Sequence, residues 1–299
     1  MAQPESTVSP RVIQRMNSAG NIIRLLRLKQ WTKNLLLFAG ALFSREITVP
    51  TQALRSFMAF FSFCFLSSAL YVFNDLIDRE NDRRHPRKRL RPLASGTVTP
   101  GAAYRLLALL GLAGLALAFP LGGGFLAATL VYIAFVTGYS LGLKRIAIID
   151  LMILAFGFVI RAIAGAVAVG ALISPWLLTC TLSLSLLLAT IKRRQEIICN
   201  SDQSREVLRA YPLVFLDQAI TIVTAVTLMG YLLYTFSSGQ SRYLMLTIPF
   251  VIYGVLRYLL LTARQEGGEE PEEILLGDGP FLINILLWVL ISFVVLYFG

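Results

Sequence analysis

Charge is what this chain has least of. Of its 299 residues only 15% are Asp, Glu, Lys or Arg, against 56% hydrophobic. A soluble globular domain carries about 25% charged residues, so an ordinary soluble domain is excluded. Several apolar runs reach roughly 20 residues, the length that crosses a bilayer. Histidine is almost missing. His85 stands alone, beside Pro86, and reads as an exposed polar loop contact rather than a catalytic base. Cysteine is scarce too: Cys64, Cys180 and Cys199 are odd in number with no paired spacing. That argues against a disulfide framework or a zinc site, and Cys64 and Cys180 read as small hydrophobes inside apolar runs. Residues 1–20 lack the apolar core and cleavage site of a removable signal peptide. They are expected to form a flexible cytoplasmic tail, followed by a single transmembrane domain over 21–299. No convincing internal repeat is found, whereas transporters often show paired half repeats. Acidic residues are outnumbered 17 to 27, for a net charge of +10. In a membrane protein that excess is read first as topology, and no nucleic-acid partner is expected.

What is there is an all-α, polytopic pattern. A basic amphipathic segment, Asn21–Lys33, carries Arg24, Arg27, Lys29 and Lys33 among Ile and Leu and holds Trp31, suited to a headgroup layer. Nine spans are expected at about 34–43, 52–73, 101–119, 122–141, 147–169, 174–191, 212–236, 243–263 and 280–298, ringed around a central cavity. The first is short unless the preceding turn tilts in with it. With the N-terminus inside, the cytoplasmic loops collect the run 83–91, Lys144, Arg145, Lys192, Arg193, Arg194, Arg205 and Arg209. Only Arg45 and Arg242 fall outside. This asymmetry places an inner-membrane protein with its active-site loops in the cytoplasm.

The stretch Asn74–Gly96 is the most charged. Asn74, Asp75, Asp78 and Asp82 are spaced one, three and four apart, so on a helix they share a face. Crowded carboxylates repel unless a cation sits between them, and hard oxygens suit Mg²⁺. Arg83, Arg84, Arg87, Lys88, Arg89 and Arg91 follow at once. Acid then base at the end of a span reads as a site for a metal-bound diphosphate. Lys192-Arg193-Arg194-Gln195-Glu196 ends the sixth span, and Lys192 and Glu196 are spaced to pair. Its functional reading is a second phosphate-binding wall; the plainer reading is a cluster that snorkels and fixes topology. Tyr139 and Lys144 end the fourth span and can face the same mouth. Arg161 lies inside the fifth span, where a charge normally faces a water-filled cavity or a partner. A cavity-facing role is expected, the alternative being a buried pair with an acid such as Asp150. Arg257 in the eighth span is read by the same logic. Gly157, Gly165 and Gly170 with their alanines are expected to permit close helix packing. The acidic segment 266–279 is expected to be a mobile loop.

The Asn74-Asp75-x-x-Asp78-x-x-x-Asp82 motif at the end of the second span resembles the first aspartate-rich motif of the UbiA superfamily of membrane prenyltransferases. Lys29, Gln30, Trp31, Lys33 and Asn34 resemble that family as well, as does Arg87-x-Arg89-x-Arg91-Pro92-Leu93-x-Ser95-Gly96. Members that transfer prenyl groups carry a second aspartate-rich motif in loop 6-7. Here that place reads Lys192-Arg193-x-x-Glu196. In this the chain is similar to the decaprenyl-phosphate phosphoribosyltransferase branch, which makes polyprenyl-phosphate phosphoribose. Tyr139-Ser140-x-Gly142-Leu143-Lys144, Ile160–Gly165 and Leu256-Arg257-Tyr258 fit that branch.

The resemblance implies phosphoribosyl diphosphate as donor, polyprenyl phosphate as acceptor, Mg²⁺ as cofactor and a homotrimer. Asp75 and Asp78 would hold metal on the leaving diphosphate. Asp82 would bind metal or the ribose hydroxyls, and Asn74 would orient an oxygen or a carboxylate. Lys29, Lys33, Arg161, Lys192 and Arg193 are candidates for placing the acceptor phosphate. Lys88, Arg91 and Lys144 are candidates for the donor 5-phosphate, and Tyr139, Glu196 and Arg257 complete the substrate-binding set. The rival enzyme reading moves a prenyl group from prenyl diphosphate to an aromatic acceptor. A transporter or scaffold is the rival from another class.

Overall fold

A computed structural model describes residues 19–86, 88–198, 206–237, 241–264 and 277–298. The expected tail up to residue 18, Arg87, Cys199, Arg205 and the acidic segment up to residue 276 lie outside the described residues. Among the described residues every regular element is helical and there is no strand. The α-helices are α1 (Ala19–Leu26), α2 (Leu37–Phe43), α3 (Pro50–Ile77), α4 (Arg79–Arg84), α5 (Pro100–Ala118), α6 (Gly123–Leu141), α7 (Ile149–Ala168), α8 (Pro175–Ile198), α9 (Leu213–Ser237), α10 (Ile248–Arg264) and α11 (Gly279–Phe298). Pro50, Pro100 and Pro175 open three of them, where a missing N–H costs no helical hydrogen bond.

Among the described residues eight helical segments, α3 and α5 to α11, with α5 extended to Leu121 and α10 begun at Arg242 by 3₁₀ turns, are long and apolar enough to cross a membrane. Their outer faces carry exposed residues such as Leu112, Ile222 and Leu286, as expected where lipid covers them. The chain is an integral membrane protein. The expected first span differs from the other eight. Leu28–Leu36 is a 3₁₀ helix of nine residues, and only Leu37–Phe43 is α-helical. The longer 3₁₀ rise compensates for the shortage of residues. At about 2.0 Å per 3₁₀ residue and about 1.5 Å per α residue, Leu28–Phe43 extends about 28 Å, near the thickness of a bilayer core.

Two glycines fix where this segment lies. A Cβ on Gly165 would come 2.1 Å from the Leu37 carbonyl oxygen, and one on Gly40 would come 2.6 Å from the Ala166 backbone. Helices α2 and α7 therefore cross backbone to backbone, which the small positions on the fifth span allow. On the other side α3 packs on α5 and α6, α7 packs between α6 and α8, and α9 packs on α8. At one end Arg55 donates to the Ala168 and Leu121 carbonyls, tying α3 to the ends of α7 and α5. Helices α9 and α11 meet through Trp288, whose Nε1 donates to the Tyr231 hydroxyl at 2.9 Å. Near the opposite end, α3, α6, α7, α8 and the 3₁₀ segment stand round a cavity of about 670 Å³. Helices α9, α10 and α11 contribute nothing to its wall, so the ring expected from all spans is narrower than the bundle.

Candidate active site

Helix α3 ends at Ile77 and α4 begins at Arg79, with Asp78 at the junction. Asp75 thus sits in the last turn of one helix and Asp82 inside the next. Both are buried, at 2% and 5% exposure. Arg91 Nη1 donates to Asp75 Oδ1 at 3.2 Å and to Asp82 Oδ2 at 2.7 Å, bridging them. Arg27 reaches the same Asp75 oxygen at 2.5 Å. Asp78 turns elsewhere: Lys144 Nζ lies 2.7 Å from both of its oxygens. Burial works against the Arg91 charge, yet Asp75 and Asp82 outweigh it and raise its pKa. The shared face expected from the spacing is therefore divided. Two carboxylates share one guanidinium, and the third takes an ammonium from the turn before α7. Among the described residues no three His, Cys, Asp or Glu side chains form a ready metal cluster. The donor chemistry still fits a hard divalent cation. Three carboxylates within eight residues already gather cations, and Asn74, Asp78 and Asp82 all line the cavity.

The 3₁₀ segment supplies a second wall. At three residues per turn, side chains three apart eclipse. Arg27, Gln30 and Lys33 accordingly fall in one row, and all three line the cavity. The segment lies along α3 because Ser68 donates to the Leu26 carbonyl at 2.7 Å and accepts from Trp31 at 3.0 Å. Asn34, fully buried, donates to Ser67 at 3.2 Å and accepts from Arg161 Nε at 2.8 Å.

Arg161 is 5% exposed and lines the cavity. Its other donors reach the Gly157 carbonyl and the Tyr132 hydroxyl, each at 2.8 Å. The guanidinium also lies 4.7 Å from the Tyr132 ring centroid. All these partners are neutral, and among the described residues no carboxylate pairs with it. The alternative pairing with Asp150 does not occur. The cavity wall thus holds a buried guanidinium without a counterion among the described residues, an arrangement that costs several kcal/mol in a low-dielectric site.

Asp150 pairs instead with Arg193, 2.7 Å from Nε. Arg193 is 1% exposed. Its Nη1 lies 2.5 Å from Glu196, and its Nη2 donates to the Tyr139 hydroxyl at 3.1 Å. Arg193 is thus a partner of Glu196. Lys192 itself lines the cavity. The second partner of Asp150 is Tyr211, whose hydroxyl donates to it at 2.5 Å and accepts from the Ile148 N–H at 2.6 Å.

Eleven of the fifteen expected site residues line one cavity: Lys33, Asn74, Asp78, Asp82, Lys88, Arg91, Tyr139, Lys144, Arg161, Lys192 and Arg193. Asp75 lies just behind it through Arg91. Glu196 touches it only through Arg193, and Lys29 is exposed outside it. Arg257 is a correction. It sits on α10, away from the cavity, and its Nη2 lies 2.8 Å from Asp278. Asp278 also accepts from the Phe281 N–H at 2.8 Å, capping α11. The Arg257 hydrogen bond holds the Asp278 carboxyl below its ordinary range. A charge in a span announces a polar partner, and here the partner is a helix cap. His85 is a second correction: it is buried, at 6% exposure, and its Nδ1 accepts from the Lys88 N–H at 3.2 Å. The sequence reading missed Arg27, Gln30, Arg84, Arg145 and Tyr132, all on the cavity wall. Arg145 stood beside Lys144, and Arg84 stood within the basic run. For Arg27 and Gln30 the signal was their spacing of six and three from Lys33, which means nothing unless the segment is 3₁₀.

Among the described residues the wall carries ten Lys or Arg side chains (27, 33, 84, 88, 91, 144, 145, 161, 192 and 193) against two carboxylates, Asp78 and Asp82. Membrane-spanning helices around a polar, strongly cationic cavity with an aspartate-rich rim define a membrane-embedded transferase. The chain belongs to the UbiA prenyltransferase family, whose profile matches residues 35–286. It is 35% identical over 286 residues to the decaprenyl-phosphate phosphoribosyltransferase of Corynebacterium glutamicum, covering 91% of this chain and 86% of that one. To the protein of the same name from Mycolicibacterium smegmatis it is 34% identical over 292 residues, covering 91% of each. Among solved structures it resembles a UbiA homolog from Archaeoglobus fulgidus bound to DMAPP and Mg²⁺. That match has a TM-score of 0.70 at 21% identity and covers 93% of this chain and all of that one. This last likeness is one of fold.

Proposed function

We propose that the protein transfers the 5-phosphoribosyl group from phosphoribosyl diphosphate to a polyprenyl phosphate and releases diphosphate. The observation that supports this reading is the charge of the cavity wall, ten cations to two carboxylates among the described residues. A site for one metal-bound prenyl diphosphate calls for acidic walls on both sides. A site for a sugar carrying a diphosphate and a phosphate, together with a second phosphate on a lipid, calls for cations. The names of the relatives support the same reading.

In this reading a phosphate oxygen of the acceptor forms a bond to C1 of the ribose. The bond from C1 to the diphosphate oxygen breaks, and its electron pair leaves with the diphosphate. The acceptor is already ionised near neutral pH, so no general base is needed. Asp75, Asp78 and Asp82 would hold Mg²⁺, which neutralises the charge of the departing diphosphate. Asn74 orients one of these carboxylates or a ribose hydroxyl. Lys144 and Arg91, now on the aspartates, are placed to receive phosphate oxygens, Arg by paired hydrogen bonds and Lys as a point charge. Arg145, Arg84 and Lys88 at the rim suit the donor 5-phosphate. Deeper in, Lys33 and Arg161 suit the acceptor phosphate, with its chain leaving between helices into lipid. Arg193 builds the wall, since its donors are taken by Asp150, Glu196 and Tyr139. The distribution of Lys and Arg supports a mouth on the cytoplasmic side, where a soluble donor is found.

Ligand protection tests the donor. With Mg²⁺ present, phosphoribosyl diphosphate at 100 times its Kd is expected to stabilise the protein by about 2.7 kcal/mol, seen as a rise in Tm in detergent. Geranyl diphosphate at the same concentration is expected to shift it far less. The reverse order would reject the reading.

A further inference from the structure

Ile148 holds an unusual backbone. It has φ 68 and ψ −44, one of three non-glycine residues with positive φ among those described. For a β-branched residue that is a genuine outlier, and such outliers persist only where the surroundings impose them, often beside a functional site. Here the imposing group is visible. The Tyr211 hydroxyl accepts from the Ile148 N–H at 2.6 Å and donates to Asp150 Oδ1 at 2.5 Å. Asp150 is fully buried and holds Arg193 on its other oxygen. Tyr211 is itself buried, and its ring stacks on Phe215. Burial and the bond to Asp150 push its pKa up, so the phenol stays protonated and can serve both partners.

The turn locked in this way is the one that carries Lys144 and Arg145. Lys144 lies four residues before Ile148 and reaches both oxygens of Asp78. Arg145 lies three before it and lines the cavity. Asp150 N–H donates back to the Ile146 carbonyl at 3.0 Å, so the turn and the helix start move together. We infer that Tyr211 is a positioning residue. Its hydroxyl ties the segment before α9 to the turn before α7 and thereby aims Lys144 at the diphosphate end of the donor. The inference rests on the proposed donor only in so far as that donor carries a diphosphate.

Tyr211→Phe is the test, because it keeps the ring and its stacking while leaving the Ile148 N–H unpaired. In the full-length protein, binding of inorganic diphosphate with Mg²⁺ by calorimetry is expected to weaken about tenfold. The KM for phosphoribosyl diphosphate is expected to rise to match, with the KM for polyprenyl phosphate little changed and Tm lowered by a few degrees as the Ile148 N–H and Asp150 lose their shared partner. Lys144→Ala is expected to weaken diphosphate binding by itself. The double variant is expected to be no weaker than Lys144→Ala alone, since residues acting through one another are not additive. Unchanged diphosphate binding in Tyr211→Phe would overturn the inference. So would a double variant whose losses multiply, or a variant whose only change is a lower Tm. Wild type that binds diphosphate but does not turn over phosphoribosyl diphosphate would instead reject the functional reading and leave the Tyr211 comparison intact.

Discussion

Asp78→Asn is expected to lower turnover by about 10³-fold or more while the protein folds as before. Stabilising charge on the departing diphosphate is the largest demand on this site, and losing a single preorganised electrostatic contact commonly costs 10²- to 10³-fold. Asp78 is the cleanest of the three aspartates to test. Its side chain is 21% exposed and its ion pair is with Lys144 alone. The amide keeps the shape and one acceptor, so Tm should move little. Asp75 is a worse probe. It is buried, and Arg27 and Arg91 both lie on it. Asp75→Ala should abolish turnover too, but it strands two partly buried guanidinium groups and should lower Tm as well. Turnover and Tm must therefore be measured together. Activity within tenfold of wild type in Asp78→Asn would remove Asp78 from the metal and diphosphate role.

Arg161→Met is expected to separate stability from function. The buried guanidinium donates to the Asn34 side-chain oxygen, the Tyr132 hydroxyl and the Gly157 carbonyl, and among the described residues no carboxylate pairs with it. Replacing an uncompensated buried charge by an apolar chain of similar length is often neutral or stabilising. Against that, Asn34 loses a donor inside a buried site, at a cost of about 1–3 kcal/mol. The two effects nearly offset, so Tm should stay within a few degrees. Catalytic efficiency toward the lipid acceptor should fall by about 10²-fold, the usual scale for losing one side of a desolvated charge contact. The effect should appear in the KM for polyprenyl phosphate. Arg161→Lys should recover part of it, because the charge returns without the planar fork. A clear loss of Tm with an unchanged acceptor KM would make Arg161 a structural residue only.

Much of this arrangement is legible from the order of residues. Eight spans follow from apolar length, and the small residues of the fifth span do mark a backbone crossing, at Gly165 and Gly40. The site's acid and base clusters are local in sequence, so most of the cavity wall is named by them. What fails to show is geometry set by distant partners. The expected first span at about 34–43 looks short because the 3₁₀ rise of Leu28–Leu36 that leads into it does not show in the sequence. That 3₁₀ form, held by Ser68 of α3, brings Arg27 and Gln30 into the wall. Arg193 and Arg161 read alike as basic residues of spans. Asp150, 43 residues away, neutralises Arg193, and Arg161 has no counterion among the described residues. Arg257 reads as a third case, and a helix-capping Asp278 takes it out of the cavity altogether.

The most direct measurement is of product. Purified protein with Mg²⁺ is given polyprenyl phosphate and phosphoribosyl diphosphate in one reaction, and geranyl diphosphate with an aromatic acid in another. Mass spectrometry of the lipid extract is expected to find phosphoribose attached to the polyprenyl phosphate in the first and no prenylated aromatic in the second. A prenylated aromatic from the second reaction, with nothing made in the first, would contradict the assignment of the cationic wall to sugar and lipid phosphates.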